Sequence, residues 1–306
     1  MNRQRGVALI VAVLVLALAV MLIATLLAHG ENTQARVRDR WRAEQSWQLL
    51  RGLEAWATEG LIADAQATGG VDSLDEAWAR PIAPIEIPGA KISGRLRDLG
   101  GCFNLNSLAP GGVADPAAGQ RFTRLLATLQ LPTGLSAEAG DFIDGDAEPQ
   151  GGGAEDAAYA GQSPSQRAAN APLTDASEIL RLPSMTPERW QVLAPYVCAL
   201  PVDQKIDLNT APAVLWTTLD ERINLPMARR LARDRGGGAY PDLPAVQEAL
   251  QREGLPPVDL TAYDVGSRYF RAEADILADG IPFAYTSLLE RLPGRVRVIA
   301  RARGGR

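Results

Sequence analysis

The chain has 306 residues, of which 46% are hydrophobic and 22% are charged, so it is long enough for a membrane segment and a domain with its own core. Its 36 acidic side chains outnumber 31 basic ones, and the net charge of −5 argues against a nucleic-acid backbone as the main partner. The single histidine, His29, excludes a histidine-based catalytic triad or a histidine-rich zinc site from the residues after it.

The amino terminus is a short basic segment followed by a long apolar run. Residues 1–6 read MNRQRG, and the 22 residues of Val7–Ala28 then carry no charge. As a helix this run is about 33 Å long, which matches the hydrocarbon core of a bilayer. Arg3 and Arg5 favour a cytoplasmic amino end, but four arginines at 36–42 follow the run, so charge alone does not fix the orientation. The pattern predicts one transmembrane helix over residues 7–28.

Beyond the span, apolar and small residues keep a helical spacing to about Glu59. Trp41, Trp47 and Trp56 need a surface against which to bury. We therefore predict that residues 29–60 form a stem helix that packs on the domain after it.

Two later stretches resemble each other, CFNLNSLAP at 102–110 and KIDLNTAP at 205–212. Each contains Asn followed by Ser or Thr, a helix-capping signal, and each precedes apolar residues at helical spacing. These features predict an inserted, mostly α-helical domain over residues 101–260, made of two related helical units.

The carboxyl-terminal part has the alternating pattern of strands. Ser267–Ala274, Phe283–Arg291 and Arg295–Ala300 are separated by Gly and Pro turns, and Lys91–Asp98 has a similar pattern. The predicted fold class is α+β, with the amino-terminal transmembrane and stem helix packed on a small antiparallel sheet and a large, mostly helical insertion. Residues 61–100 and 261–306 would form the pilin-like α/β part.

The two cysteines, Cys102 and Cys198, lie in the part predicted to be outside the cytoplasm. An oxidising compartment favours a disulfide between them, and the alternative is two buried free thiols. A pair would close a loop of nearly a hundred residues, worth roughly 4.7 kcal/mol in the chain-entropy model.

An acidic loop follows the first of the two similar stretches. Asp141–Pro149, a glycine run and Glu155–Asp156 bring six carboxylates together. Hard cations take six to eight oxygens from such groups, although the spacing is not that of an EF-hand. A solvated loop without an ion is the alternative.

The basic leader that ends in Gly6 directly before the apolar helix resembles the type III signal of type IV pilins and pseudopilins. The resemblance implies cleavage after Gly6 by a prepilin peptidase and methylation of the new amino terminus on Val7. Most pilin-like subunits carry Glu five residues into the mature chain, where this chain has Val11. A carboxylate in the bilayer costs about 3 kcal/mol and is useful only beneath a neighbouring amino terminus, which a tip subunit lacks. Absence of this Glu is a feature of the K-type minor pseudopilins of type II secretion systems (general secretion pathway protein K).

The acidic loop is similar to the calcium-binding region of the same family, in which D-x-x-D-x-D is followed by G-A-E-D and a Tyr. The matching residues are Asp141, Asp144, Asp146, Gly153, Ala154, Glu155, Asp156 and Tyr159. The resemblance implies a structural calcium ion, with the five carboxylates Asp141, Asp144, Asp146, Glu155 and Asp156 as candidate ligands.

Taken over the whole chain, the resemblance implies a structural subunit at the tip of the pseudopilus. Such a subunit helps to initiate pseudopilus assembly and protein export across the outer membrane. Implied partners are I-type and J-type minor pseudopilins in a heterotrimer, the major pseudopilin filament, the prepilin peptidase and the inner membrane, and no nucleic acid. The implied location is a single pass through the inner membrane of a bacterial cell, with the carboxyl-terminal domain in the periplasm.

Two other classes of function have less support in the sequence. Ile206–Pro212, with Pro226, Ala228–Ala232 and Arg235–Gly237 after it, resembles a helix-hairpin-helix of competence-type DNA-binding membrane proteins. The expected turn, Ile223–Met227, has no Gly, and although Arg229, Arg230, Arg233 and Arg235 are basic, the domain is acidic. No spacing places a nucleophile beside a base, so an enzyme is not expected.

Overall fold

The computed structural model describes residues 3–161, 165–235 and 238–304. The α-helices are α1 (Arg3–Thr68), α2 (Pro116–Thr128), α3 (Leu135–Ile143), α4 (Asp156–Ala160), α5 (Pro187–Leu193), α6 (Ala213–Trp216), α7 (Leu225–Arg233) and α8 (Leu243–Arg252). The strands are β1 (Ile82–Ile87), β2 (Ala90–Asp98), β3 (Phe103–Asn104), β4 (Val197–Cys198), β5 (Ile206–Asp207), β6 (Tyr263–Asp264), β7 (Tyr269–Ala278), β8 (Ile281–Leu292) and β9 (Arg295–Arg303). Short 3₁₀ helices occupy Ala77–Ala79, Leu105–Leu108, Pro110–Gly112, Ala176–Arg181 and Ala194–Tyr196.

Helix α1 combines the predicted span and the predicted stem in 66 continuous residues. Its stretch Leu9–Leu26 is long and apolar enough to cross a membrane, and none of that stretch is buried against the rest of the chain. The helix continues past the predicted end near Glu59 because Leu61 extends its buried face. It stops where Gly69 and Gly70 adopt positive φ angles of 70° and 91°, a backbone conformation that residues other than Gly rarely adopt.

The stem packs on the sheet through one face only. Leu50, Ala57 and Leu61 lie at spacings of seven and four residues on that face and are buried. Trp47 contacts Tyr285 of β8 edge to face, with ring centroids 6.1 Å apart.

The predicted burial is wrong for the other two tryptophans of the stem. Trp41 is 71% exposed and Trp56 is 49% exposed. Trp56 directly precedes Ala57, and because successive helical residues are turned by about 100°, it lies at the side of the buried face. There it lines a shallow cleft with Ile82 of β1, and about half of its surface stays exposed.

The main sheet has the strand order β1-β2-β7-β8-β9, and every neighbouring pair is antiparallel. The predicted α+β class is confirmed, and so are the early strand and the three final strands. Strand β1 was missed because Pro84 lies inside it, and Pro lacks the N–H that a central strand needs. As the edge strand of the sheet, β1 tolerates it.

The residues between β2 and β7 contain short helices and two small parallel ladders, β3 with β4 and β5 with β6. Each of the two similar sequence stretches supplies the first strand of one ladder. The structure joins Cys102, next to β3, to Cys198 of β4 by a disulfide with a Cα–Cα distance of 5.9 Å.

The asparagine before Ser107 in the first stretch has a bridging role. Asn106 is buried, and its Nδ2 donates to the carbonyl oxygens of Leu173 and Leu200 at 2.9 and 3.0 Å. Its Oδ1 accepts from the backbone N–H of Leu173 at 2.7 Å. Asn106 therefore joins two distant segments. The sequence context predicted a helix cap at this residue, and that prediction is wrong.

Asn209 makes the corresponding set of bonds in the second stretch. Its Nδ2 donates to the carbonyl oxygens of Tyr240 and Val265, both at 3.0 Å, and its Oδ1 accepts from the Tyr240 N–H at 2.8 Å. The capping prediction is also wrong here, because both Nδ2 protons and the Oδ1 atom bond backbone groups of Tyr240 and Val265 and not a helix end.

Candidate metal centre

The acidic loop connects α3 to α4 and is closed by contacts at its base. The rings of Phe142 in α3 and Tyr159 in α4 pack with their centroids 5.5 Å apart. The Phe142 carbonyl oxygen accepts from the N–H groups of Ala169 and Asn170, both at 3.1 Å. Two short helices with a shared apolar base thus bring the two ends of the acidic segment together.

Three of the five predicted ligands converge at this position. Asp144, Asp146 and Glu155 each offer one carboxylate oxygen, and these three oxygens all lie within 4.8 Å of one another. Asp144 and Glu155 are buried, whereas Asp146 is exposed. Oxygen ligands in this arrangement suit a hard divalent cation that is partly open to solvent.

The buried carboxylates have unused hydrogen-bonding capacity. Within the described ranges, Oδ1 of Asp141, Oδ1 of Asp144 and both oxygens of Glu155 are buried without a hydrogen-bond partner. The second oxygen of Asp141 accepts from the N–H of Gln150 at 3.0 Å. Buried polar atoms are normally paired, so four unpaired carboxylate oxygens in one place fit a site that a cation completes.

The electrostatics of the acidic loop also favour a bound cation. Burial, followed by the negative charges of Asp141, Asp144, Asp146 and Asp156, raises the pKa of Glu155 to about 7. Burial also raises the pKa values of Asp141 and Asp144, and neighbouring aspartates add to both shifts. Without a cation, ionisation of these groups is therefore opposed by low solvation and by mutual repulsion.

The remaining predicted ligands hold different positions. Asp156 is exposed in the first turn of α4, and its Oδ1 accepts from the N–H of Ala168 at 3.0 Å, so it braces the loop. Asp141 lies near the end of α3 and is not one of the three converging carboxylates. Its negative charge helps to raise the pKa of Glu155.

Glu138 and the Tyr159 hydroxyl belong to the same environment. Tyr159 is part of the motif that resembles the family's calcium-binding region, whereas Glu138 was not predicted. The Tyr159 hydroxyl is buried with no hydrogen-bond partner among the described residues, and its pKa is raised by burial and then by the charges of Glu138, Glu155 and Asp141. Glu138 is buried and accepts from the N–H of Ser184 at 3.0 Å. Its position one helical turn before Asp141 is the sequence signal that would have identified it.

Gly153 is required by a close approach. A Cβ atom at this position would lie 1.8 Å from Oδ2 of Asp141. At Gly151, two residues earlier in the same loop, such a Cβ would meet no heavy atom of the described residues within 4 Å. The chain therefore needs Gly at 153, and not at 151, to keep Asp141 in place.

The processing residues and the tip-specific position lie in α1. Gly6 and Val7 are within the helix, among residues whose side chains are outside the described part. Val11 is exposed on the apolar stretch.

The segment that resembles a helix-hairpin-helix forms α6 and α7. Its connecting turn contains Asp220, which pairs with Arg222 at 2.7 Å. On α7, Arg230 is paired with Glu253. The expected phosphate-binding turn, Ile223–Met227, coincides with the start of α7 and contains no Gly, which argues against the DNA-binding alternative.

Comparisons with known proteins agree with this architecture. The model of the family "Type II secretion system (T2SS), protein K" matches residues 101–202. The type II secretion system protein K of Pseudomonas aeruginosa is 33% identical over 98% of this chain and 93% of its own length. That of Pectobacterium carotovorum is 30% identical over 99% of this chain and 98% of its own length.

A solved structure gives the same result. A chain in the crystal structure of the GspK-GspI-GspJ complex from the enterotoxigenic Escherichia coli type 2 secretion system is 28% identical and superposes with a TM-score of 0.78. The match covers 89% of this chain and all of that one. With identities of 33% and 30% over nearly its whole length to two such proteins, this chain belongs to the type II secretion system protein K family.

Proposed function

We propose that this chain is the minor pseudopilin at the tip of a type II secretion pseudopilus, where it helps to initiate pseudopilus assembly and protein export. The observation that carries the proposal is the superposition, over 89% of this chain, on a chain of a complex named for GspK, GspI and GspJ. Its partners are then an I-type and a J-type minor pseudopilin in a heterotrimer, with the major pseudopilin filament below them. The role is structural and not enzymatic.

Features of the molecule itself support the tip position. The five-stranded sheet and stem carry an insertion that runs from the end of β2 to the start of β7. A subunit with neighbours above it in a filament has little room for such an insertion, whereas a terminal subunit has no such limit. Val11, which replaces a carboxylate used to meet the next subunit, agrees with this position.

The same proposal sets the location. Leu9–Leu26 anchors the chain in the inner membrane, and the domain after it lies in the periplasm. The disulfide between Cys102 and Cys198 supports this orientation, because disulfides persist in the periplasm and are rare in the cytosol.

Co-purification tests the tip role. The full chain, expressed with tagged I-type and J-type minor pseudopilins of the same system, is expected to elute with both as one complex, and the major pseudopilin alone is not expected to retain it. Elution of the chain by itself under these conditions would reject the proposed role.

We also propose that the leader is removed by a prepilin peptidase and that the new amino terminus is methylated. In cells with an active peptidase, intact-mass measurement of the purified chain is expected to give a protein that begins at methylated Val7. A Gly6→Val variant should keep residues 1–6, because the peptidase needs a small residue before the cut. Recovery of the unchanged chain with its first six residues still attached would contradict the prediction.

For the acidic loop we propose a structural calcium ion. Asp144, Asp146 and Glu155 would hold it, with Asp141 close behind them, and the support is their convergence and the unpaired oxygens. Calcium supplies positive charge that offsets the repulsion among these carboxylates and ties the end of α3 to the start of α4.

Calcium affinity is expected to rise with pH. Protons compete with the ion for Glu155, whose pKa is about 7, so binding below that value must release a proton. Isothermal titration of the full chain with calcium should show affinity falling about tenfold for each pH unit below 7 and levelling off above about pH 8. An affinity that is the same at about pH 6 and about pH 8 would show that Glu155 is not a ligand.

Substitution of Gly153 by Ala should weaken calcium binding at least about tenfold, because the added methyl displaces the Asp141 carboxylate that lies behind the ligands. The matched control is Gly151→Ala, which adds the same methyl to open space in the same loop and should bind like the unchanged chain. Calcium titration of both variants checks the prediction, and equal affinities would refute it.

A further inference from the structure

A second group of carboxylates lies at the far end of the stem, away from the acidic loop. Asp64 is close to the end of α1, and Asp72 and Glu76 lie in the segment between α1 and the Ala77–Ala79 turn. One carboxylate oxygen from each of the three lies within 4.8 Å of the other two.

One side of this group is already occupied by protein donors. Arg291 of β8 pairs with Oδ2 of Asp64 at 3.3 Å and with Oδ2 of Asp72. The N–H of Ser267 also donates to Oδ2 of Asp72, at 2.6 Å. The Arg291 guanidinium additionally donates to the Ser267 carbonyl oxygen, so its donors are directed at this side.

On the other side of this carboxylate group, one oxygen of Asp72 has no hydrogen-bond donor among the described residues. The Asp72 side chain is 0% exposed, and within the described residues its Oδ1 is buried without any hydrogen-bond partner. A carboxylate oxygen that is fully removed from water is expected to have a partner, so this orphaned oxygen points to a missing ligand.

The charges leave room for a cation. Three carboxylates face one guanidinium, so the group carries more negative than positive charge. Asp64, 13% exposed at its side chain, and the half-buried Glu76 leave a path from solvent to the group.

We propose that Asp64, Asp72 and Glu76 form a second site for a hard divalent cation such as calcium, with the unpaired Oδ1 of Asp72 as its innermost ligand. A cation here joins the end of the stem helix to the segment that leads into the main sheet, on the side that Arg291 does not reach. The site shares no residue with the acidic loop, and it stands or falls independently of the proposed tip role.

The structure contains a reporter for this site. The indole N–H of Trp78 donates to Oε2 of Glu76, so a tryptophan contacts a proposed ligand. Terbium, which takes calcium sites with oxygen ligands, emits when a nearby indole transfers energy to it. The acidic loop has Tyr159 nearby, and excitation at the long-wavelength edge of the tryptophan band avoids tyrosine.

The experiment uses the full chain in non-ionic detergent, with the acidic loop disabled by Asp144→Asn and Glu155→Gln. Addition of terbium is expected to give tryptophan-sensitised emission that saturates and is displaced by calcium. Trp78→Phe should remove the emission and leave calcium binding, measured by calorimetry, in place. Absence of saturable emission and of calcium binding in this background would overturn the proposal.

Variants at the site complete the test. Glu76→Gln in the same background should weaken terbium binding at least about tenfold, whereas Asp75→Asn, which removes an adjacent exposed carboxylate, should not change it. If Glu76→Gln lowers the thermal midpoint so far that the chain is unfolded, Asp64→Asn is the second variant, with the same expected loss. Equal terbium affinity of the Glu76 or Asp64 variant and the Asp75 control would show that the bound ion lies elsewhere.

Discussion

Replacement of Glu155 by Gln is expected to stabilise the chain without calcium and to destabilise it when calcium is present. The folded-state pKa of Glu155 is raised from 4.5 to about 7, first by burial and then by neighbouring aspartates. Because the folded state holds this proton more tightly than the unfolded state, stability falls as pH rises from about 4.5 through about 7. A neutral amide removes that loss, but it also removes a charged ligand.

The size of each change follows from the same groups. At neutral pH without calcium, Glu155→Gln should raise the free energy of unfolding by about 1 kcal/mol, since water screens part of the repulsion in this loop. With calcium well above its dissociation constant, the unchanged chain gains about 2–3 kcal/mol that the variant largely lacks. The sign of the difference between the two proteins therefore reverses when calcium is added.

Thermal and denaturant unfolding with calcium, and again with a chelator, measure this reversal. The matched control is Glu148→Gln, which neutralises an exposed carboxylate of the same loop that is outside the converging trio. It should behave like the unchanged chain under both conditions. A Glu155→Gln variant that is less stable in both buffers would indicate that the side chain only packs, and that the loop does not hold calcium through it.

The stem and the main sheet were predictable because their patterns are local. A run of 22 uncharged residues is typical of a helix that spans a membrane. Strands β7, β8 and β9 carry an alternating pattern of apolar and polar residues and are separated by turns that contain Gly or Pro. The predicted helix end near Glu59 is too early, because Leu61 extends the buried face beyond the last tryptophan and the helix stops only at Gly69 and Gly70.

The roles of Asn106 and Asn209 could not be predicted in the same way. Their Asn-Ser and Asn-Thr context signals a helix cap, yet each side chain bonds backbone groups that are between 31 and 94 residues away. The hydrogen bonds to distant backbone groups outweigh the local helix-capping preference of Asn, because a buried amide is most stable where its donors and acceptors are paired.

In the acidic loop, too, one part is predictable from local sequence and another depends on tertiary packing. The sequence identifies the carboxylates, but whether Asp144 and Glu155 meet depends on the packing of Phe142 on Tyr159 and on the space left by Gly153. Neither condition is visible from spacing alone. The second acidic group was missed altogether, because Asp64 lies on a helix while Asp72 and Glu76 lie beyond its end.

Removal of the disulfide is expected to have the largest effect on stability among the changes considered. The double variant Cys102→Ala with Cys198→Ala should lower the free energy of unfolding by about 2–5 kcal/mol, because it opens a closed loop with a sequence separation of 96. Strands β3 and β4 are two residues each, too short to hold their parallel pairing unaided. Asn104 next to the bridge also bonds the carbonyl oxygens of Leu200 and Pro201, so its ordering depends on the same junction.

Denaturant unfolding of the oxidised chain and of the double variant measures this loss, and a reducing agent should destabilise only the former. The double substitution leaves no free thiol, so mispairing does not complicate the comparison. Calcium binding gives an internal control: the acidic loop is closed by Phe142 and Tyr159, which lie outside the bridged strands, and calcium should therefore still raise the thermal midpoint of the variant. A double variant within about 0.5 kcal/mol of the oxidised chain would mean that β3 and β4 stay paired through their core contacts alone.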